Sequence, residues 1–218
     1  MTIDYAKARE TMVEQQVRPW DVLDLRVLAA LGTVPRDAFV PEAHRTLAYA
    51  DLELPIGHGQ SMMKPVVEGR MLQALDIDAG DEVLEIGTGS GFISACLGYL
   101  ARDVLSLEVV AELADSARTR LAQHGHDNNV RVETADALAW ETTRRFDAIC
   151  VTAAVDTVPL RFIEWLRPGG RLFVVRGRAP VMDAVCLHNE VNGLRTESLF
   201  ETELPYLAGA APKPEFQL

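Results

Sequence analysis

The run Val83-Leu84-Glu85-Ile86-Gly87-Thr88-Gly89-Ser90-Gly91 constrains this chain more than any other. Its first four residues read as a buried parallel strand, and the alternating glycines then turn the chain. Phe92-Ile93-Ser94-Ala95-Cys96-Leu97 continues as a helical pattern. Strand, tight glycine turn and helix N-terminus make the usual seat of a nucleotide-like ligand in an open α/β sheet. Spacing narrows the choice. A dinucleotide fingerprint needs Gly-x-Gly-x-x-Gly, but here the glycines stand at 87, 89 and 91 with Phe at 92. A phosphate-cradling loop needs Gly-Lys-Ser/Thr, and the turn carries no lysine.

What remains is Glu-x-Gly-x-Gly-x-Gly, which resembles the motif of class I S-adenosylmethionine (AdoMet) methyltransferases. AdoMet has no pyrophosphate, so the glycines serve close backbone approach rather than anion binding. Glu85, Gly87, Thr88, Gly89, Ser90 and Gly91 are the candidate cofactor contacts in this run. The next strand, Val104-Leu105-Ser106-Leu107, ends in Glu108, about 20 residues past the turn, where a carboxylate can take both ribose hydroxyls. Asp136 follows the third strand, with Ala137 beside it. It reads equally as an acceptor for the adenine amino group and as a turn-former.

At 218 residues the chain suits one domain. A net charge of −11, with 21 Lys+Arg against 32 Asp+Glu, disfavours a nucleic-acid substrate. No apolar run approaches the ~20 residues of a membrane span, and no apolar leader opens the chain. Cys96, Cys150 and Cys186 stand in apolar patterns and read as reduced core thiols of a cytoplasmic protein. The histidines offer no ligand set for a metal.

Residues 5–17 carry a helical pattern that Pro19 is expected to stop. Asp21 is expected to cap a helix over 22–31, ended by Gly32, with a turn-rich connector at 34–41. Residues 1–55 thus read as an N-terminal helical extension to a core at 56–208. Residues 54–65 read as a Pro- and Gly-rich loop near the site, before a helix over 66–75. Strands at 83–86, 104–108, 129–133, 146–151 and 171–176 alternate with helices at 92–101, 111–123 and 158–166. That alternation predicts an α/β fold, a doubly wound and mostly parallel sheet. Strands at 183–188 and 197–204, joined through Asn192-Gly193, bring it to seven with an antiparallel C-terminal edge. Residues 209–218, with Pro212 and Pro214, read as a flexible tail.

Four stretches together resemble the protein-L-isoaspartate O-methyltransferase family over roughly residues 10–208: Leu54-Pro55-Ile56-Gly57-His58-Gly59-Gln60-Ser61, the glycine run, Val151-Thr152-Ala153-Ala154, and Leu166-Arg167-Pro168-Gly169-Gly170-Arg171-Leu172. The resemblance implies AdoMet as cofactor and methyl transfer to the α-carboxylate of isoaspartyl residues in peptides or proteins. By the same resemblance, Gly87 to Gly91 hold the methionyl part, Glu108 the ribose and Asp136 the adenine. Ile56, Gly57, His58, Gly59, Gln60, Ser61 and Lys64 form the substrate loop. Met63 stands where the family carries a serine credited with catalysis, and Ser61 takes the threonine position two residues earlier. A thioether cannot donate to a carboxylate. This leaves two further readings: transfer to another carboxylate or small molecule, and an AdoMet-binding regulatory protein without turnover.

Overall fold

The structure, a computed structural model, describes residues 3–213. Its frame follows from the alternation of short apolar strands with helices. Strands β3 (Glu82–Ile86), β4 (Asp103–Glu108), β5 (Val130–Thr134), β6 (Phe146–Val155) and β7 (Leu166–Arg178) run parallel, and β8 (Val181–Glu190) and β9 (Gly193–Thr202) complete the edge antiparallel. The spatial order is β5-β4-β3-β6-β7-β8-β9. Helices α5 (Phe92–Leu100), α6 (Ala111–Gln123) and α7 (Leu160–Glu164) make the connections. The expected doubly wound, seven-stranded sheet is therefore present. The turn between β8 and β9 is Val191-Asn192, one residue earlier than the expected Asn192-Gly193: Glu190 pairs with Gly193, which already opens β9.

The N-terminal helices α1 (Tyr5–Met12), α2 (Leu25–Thr33), α3 (Arg36–Phe39) and α4 (Pro65–Leu75) cover one face. Met12, Val17 and Leu31 share one continuous core with Leu72, Leu97 and Cys150. A second cluster on the other face joins Leu84 and Ile86 to Phe162 and Trp165. Cys96, Cys150 and Cys186 are free and buried. Among the described residues no helix is long and apolar enough to cross a membrane. Charges close the strand-start end of the sheet. Glu82, which opens β3, accepts from Arg144 at 3.2 Å and Arg167 at 2.9 Å. The strand-finish end is left for a ligand.

Several local expectations change. Pro19 does not stop the first helix. After α1 the backbone continues through a π-helical stretch, Val13–Val17, into a 3-10 turn, Arg18–Trp20. Proline is tolerated there because the first turn of a helix does not use its N–H. The break comes at Asp21, at φ 63°. Asp24, not Asp21, caps α2 by accepting the Arg26 N–H at 2.8 Å, and Gly32 falls inside that helix. Arg26 decides between the two acids, since its guanidinium also reaches Asp24 and the Ile77 carbonyl.

The connector at 34–41 contains α3, and the loop at 54–65 contains a hairpin. Its strands are β1 (Leu54–Gly57) and β2 (Gln60–Met62), turned through positive φ at Gly57, His58 and Gly59. Helix α7 is shorter than the expected 158–166. Residues up to 210 are tied to the sheet rather than frayed. Leu207 donates to the Ala154 carbonyl at 2.7 Å, and Asp156 donates to the Ala210 carbonyl at 2.9 Å. Residues 214–218 of the expected tail lie outside the described residues.

Gly69 in α4 is where the N-terminal helices press hardest on the core. A Cβ there would lie 2.7 Å from Val17 Cγ1 and 3.3 Å from Val22 Cγ2. Both valines are fully buried and, being β-branched, have little freedom to yield. Gly69→Ala gains about 0.5–1 kcal/mol in helix propensity, but overpacking costs about 1–3 kcal/mol. The expected result is net destabilisation in urea unfolding; a stabilised variant would mean that the helices separate at no cost.

Candidate active site

The site is built outward from the contact between Gly87 and Thr152. Gly87 directly follows β3 at φ +98°, and a Cβ there would collide with Thr152 Oγ1. Thr152 Oγ1 donates to the Gly87 carbonyl at 2.5 Å and lies 3.1 Å from that of Ile86. Only a residue without a side chain allows β6 to approach the turn this closely. The Gly87 N–H donates to the Leu107 carbonyl at 2.9 Å, which binds the turn to β4 as well. Glu108, at the end of β4, is 5% exposed. Its Oε2 accepts the Gly89 N–H at 2.8 Å and its Oε1 the Val110 N–H at 3.0 Å. Two backbone donors therefore fix this carboxylate at the mouth of the crevice, with lone pairs left for a ligand.

That crevice lies between β3 and β6, where the strand order reverses, as expected for a ligand site in such a sheet. The hairpin forms one wall through Ile56, Gln60 and Ser61. Gly87 and Gly89 form the floor, and Glu108, Asp136 and Ala137 the far side. A Cβ on Gly89 would lie 3.1 Å from Ile56 Cδ1, so the hairpin rests against the glycine turn. Among the described residues the lining includes two acids and no Lys, Arg or His. A cavity with apolar walls, bare glycine backbone and two carboxylates suits a cationic nucleoside, and AdoMet carries a sulfonium and an ammonium. The residues present fit the cofactor.

The structure does not bring every expected residue to the cavity wall. Glu85 is fully buried beneath it. Its Oε2 accepts from Ser94 and, at 2.5 Å, from Ser106. Its Oε1 finds no hydrogen-bond partner among the described residues. The Thr88 hydroxyl pairs with Ser106 at 2.5 Å. Ser90 Oγ accepts the Phe92 N–H at 3.3 Å, and Gly91 abuts Ala117 of α6. These residues support the turn from behind. Met63 is 5% exposed and packs in the core, whereas Ser61 lines the cavity. Gly57, His58 and Gly59 form the exposed hairpin tip, and Lys64 is exposed ahead of α4.

Sequence reasoning gave no role to Thr152 and Ala153, although their run stood out, nor to Val109, one residue past Glu108. It also missed Leu207 and Ala208, which line the cavity from the chain's last described segment. Alternation past Glu108 could have suggested Val109. No local signal marks the other two.

Fold and site together define a class I AdoMet-dependent methyltransferase. Residues 7–191 match the model of the family Protein-L-isoaspartate(D-aspartate) O-methyltransferase, and the chain belongs to that family. A Protein-L-isoaspartate O-methyltransferase of Syntrophus aciditrophicus is 41% identical over 199 residues, covering 89% of this chain and 91% of its own. One from Myxococcus xanthus is 45% identical over 156 residues, 72% of this chain and 74% of its own. In architecture the chain resembles a Plasmodium falciparum protein described as a protein-L-isoaspartate O-methyltransferase, solved in complex with S-adenosyl-L-homocysteine. The TM-score is 0.80 at 17% identity, over 94% of this chain and 99% of that one.

Burial pushes the Glu85 carboxyl up to about 8 from an ordinary 4.5, the hydrogen bonds from Ser106 and Ser94 only partly opposing it. Folding therefore holds a proton that the unfolded chain releases. The stability this carboxyl contributes is full below about pH 4.5, falls as pH rises, and is lost above about pH 8. Relative to Glu85→Gln, wild type should lose stability across that window by a few kcal/mol. Urea unfolding of both proteins at several pH values checks this; parallel curves would mean that Glu85 is ionised in its niche.

Proposed function

We propose that this chain transfers a methyl group from AdoMet to the free α-carboxylate of isoaspartyl residues in proteins. The observation that supports it most is the shared cavity. The hairpin resembling the family's substrate loop faces, across one crevice, the carboxylates suited to the cofactor's ribose and adenine. When bound, AdoMet supplies an electrophilic methyl on its sulfonium. Glu108 would accept from the ribose hydroxyls and Asp136 from the adenine amino group, with Gly87 and Gly89 giving backbone approach to the methionyl part. An acceptor carboxylate with a pKa near 4 is already ionised at pH 7. The chain has no proton to remove, and its tasks are in-line positioning and exclusion of water.

Ser61 is the hydroxyl suited to orient the acceptor, because it reaches the cavity from β2. Met63 is turned into the core and offers the acceptor nothing. Its place where the resemblance puts a serine favours a second reading, transfer to a different carboxylate.

Three outcomes are expected. Glu108→Gln replaces an acceptor of both backbone N–H groups with a half-donor, and S-adenosylhomocysteine affinity should fall by about 1.5–3 kcal/mol, roughly 10- to 150-fold, in calorimetry. With labelled AdoMet, wild type should methylate an isoaspartyl peptide and not its aspartyl twin. Ser61→Ala should reduce kcat by a similar factor with cofactor affinity unchanged. Labelling confined to another component of a cell extract would favour the second reading.

A further inference from the structure

Arg36 and Glu68 form a buried ion pair away from the cavity, with no part in the chemistry above. Arg36 is 0% exposed and Glu68 1%. The contact is a two-point fork: Nε to Glu68 Oε2 at 3.1 Å and Nη2 to Oε1 at 3.1 Å. Burial pushes the Glu68 carboxyl up and the guanidinium pulls it back, the charge partner that a buried acid needs. The fork has further partners. Nη1 donates to the Ala48 carbonyl at 2.7 Å and Nη2 to the Met63 carbonyl at 2.6 Å. The guanidinium also lies over the Phe92 ring, 5.4 Å from its centroid.

These partners are informative by position. Met63 directly follows β2, two residues from Ser61, and Phe92 directly follows the glycine turn. One rigid, planar group therefore touches both the base of the hairpin and the first residue after the turn. The opposite contact, Ile56 against Gly89, closes the same gap from the cavity side. A fully buried guanidinium must place five N–H donors, and Glu68 takes only two of them; what matters is where the remaining acceptors lie. Two carbonyls, one of them at the foot of the hairpin, suggest a brace.

We propose that Arg36, locked against Glu68, is a positioning residue that fixes the hairpin carrying Ser61 relative to the glycine turn and so sets the approach of the acceptor carboxylate. The inference builds on the methyl-transfer reading. A displacement of about 1 Å in such an approach costs about 100-fold in rate. Cofactor affinity, set by the sheet and the turn, should not follow.

The test compares wild type, Arg36→Lys and the double variant R36M/E68L. Replacing both charges by apolar side chains of similar size is often neutral for stability, so the double variant separates bracing from core filling. Lysine keeps the charge but cannot reach Glu68, Ala48 and Met63 in one plane. In both variants, amide exchange over residues 56–63 should quicken about tenfold or more while β3 keeps its protection. The kcat for the isoaspartyl peptide should fall about 10- to 100-fold, with S-adenosylhomocysteine affinity unchanged. Unchanged exchange and kcat would overturn the proposal, as would a matching loss of cofactor affinity. Should the double variant fail to fold, Arg36→Lys alone gives the same readouts. A wild type inactive on the isoaspartyl peptide would refute the acceptor reading, and hairpin exchange would still decide whether Arg36 braces it.

Discussion

Everything at the ligand end of this molecule depends on Thr152 pressing against Gly87. In sequence β3 and β6 are separated by two complete strand-helix units, yet in space they are neighbours, because the chain winds one way from β3 and the other way from β6. The crevice exists where those windings part. It stays narrow because the missing Cβ of Gly87 lets a threonine hydroxyl bond the turn's own carbonyl. Once the turn is set, Gly89 presents its N–H to Glu108, and the carboxylate is aimed. A side chain at position 87 would spread the strands and misdirect the acid in one step.

The sheet was legible in the sequence because fully buried parallel strands and their helices alternate with periods that nothing else mimics. Glu108 stands out as the acid that ends an apolar strand, whereas Asp136 lies two residues past β5, accepts the Leu138 N–H at 2.9 Å and also lines the crevice. Glu85 lies behind the crevice rather than on its wall, and strand alternation shows why. Leu84 and Ile86 belong to one face of the sheet and Val83 to the other, so Glu85 faces α5 and its serine, not the crevice. The hairpin was hidden by size, since strands of four and three residues are too short for a period. The choice of Asp24 over Asp21 as cap, and the docking of Leu207 and Ala208, come from contacts with distant segments that no local pattern encodes.

The N-terminal helical extension is packed into the sheet's own core. Met12, Val17 and Leu31 lie in the same core as residues of α4, α5 and β6. They complete the sheet's covering on that face, and α5 is buried nearly all round because of them. Arg36 belongs to this layer, which is how a residue of the N-terminal segment comes to lie beside Phe92.

The cavity's two sides have unequal debts to the fold. The cofactor side is made of strand ends, each locked by neighbours through the ladder, so a change there disturbs the whole sheet. The acceptor side is a small hairpin paired only with itself and held at its foot. Mutational drift can therefore reshape what the enzyme accepts while leaving the donor machinery intact. Met63, buried directly after the strand that carries Ser61, is the point where that small hairpin is tied to the core.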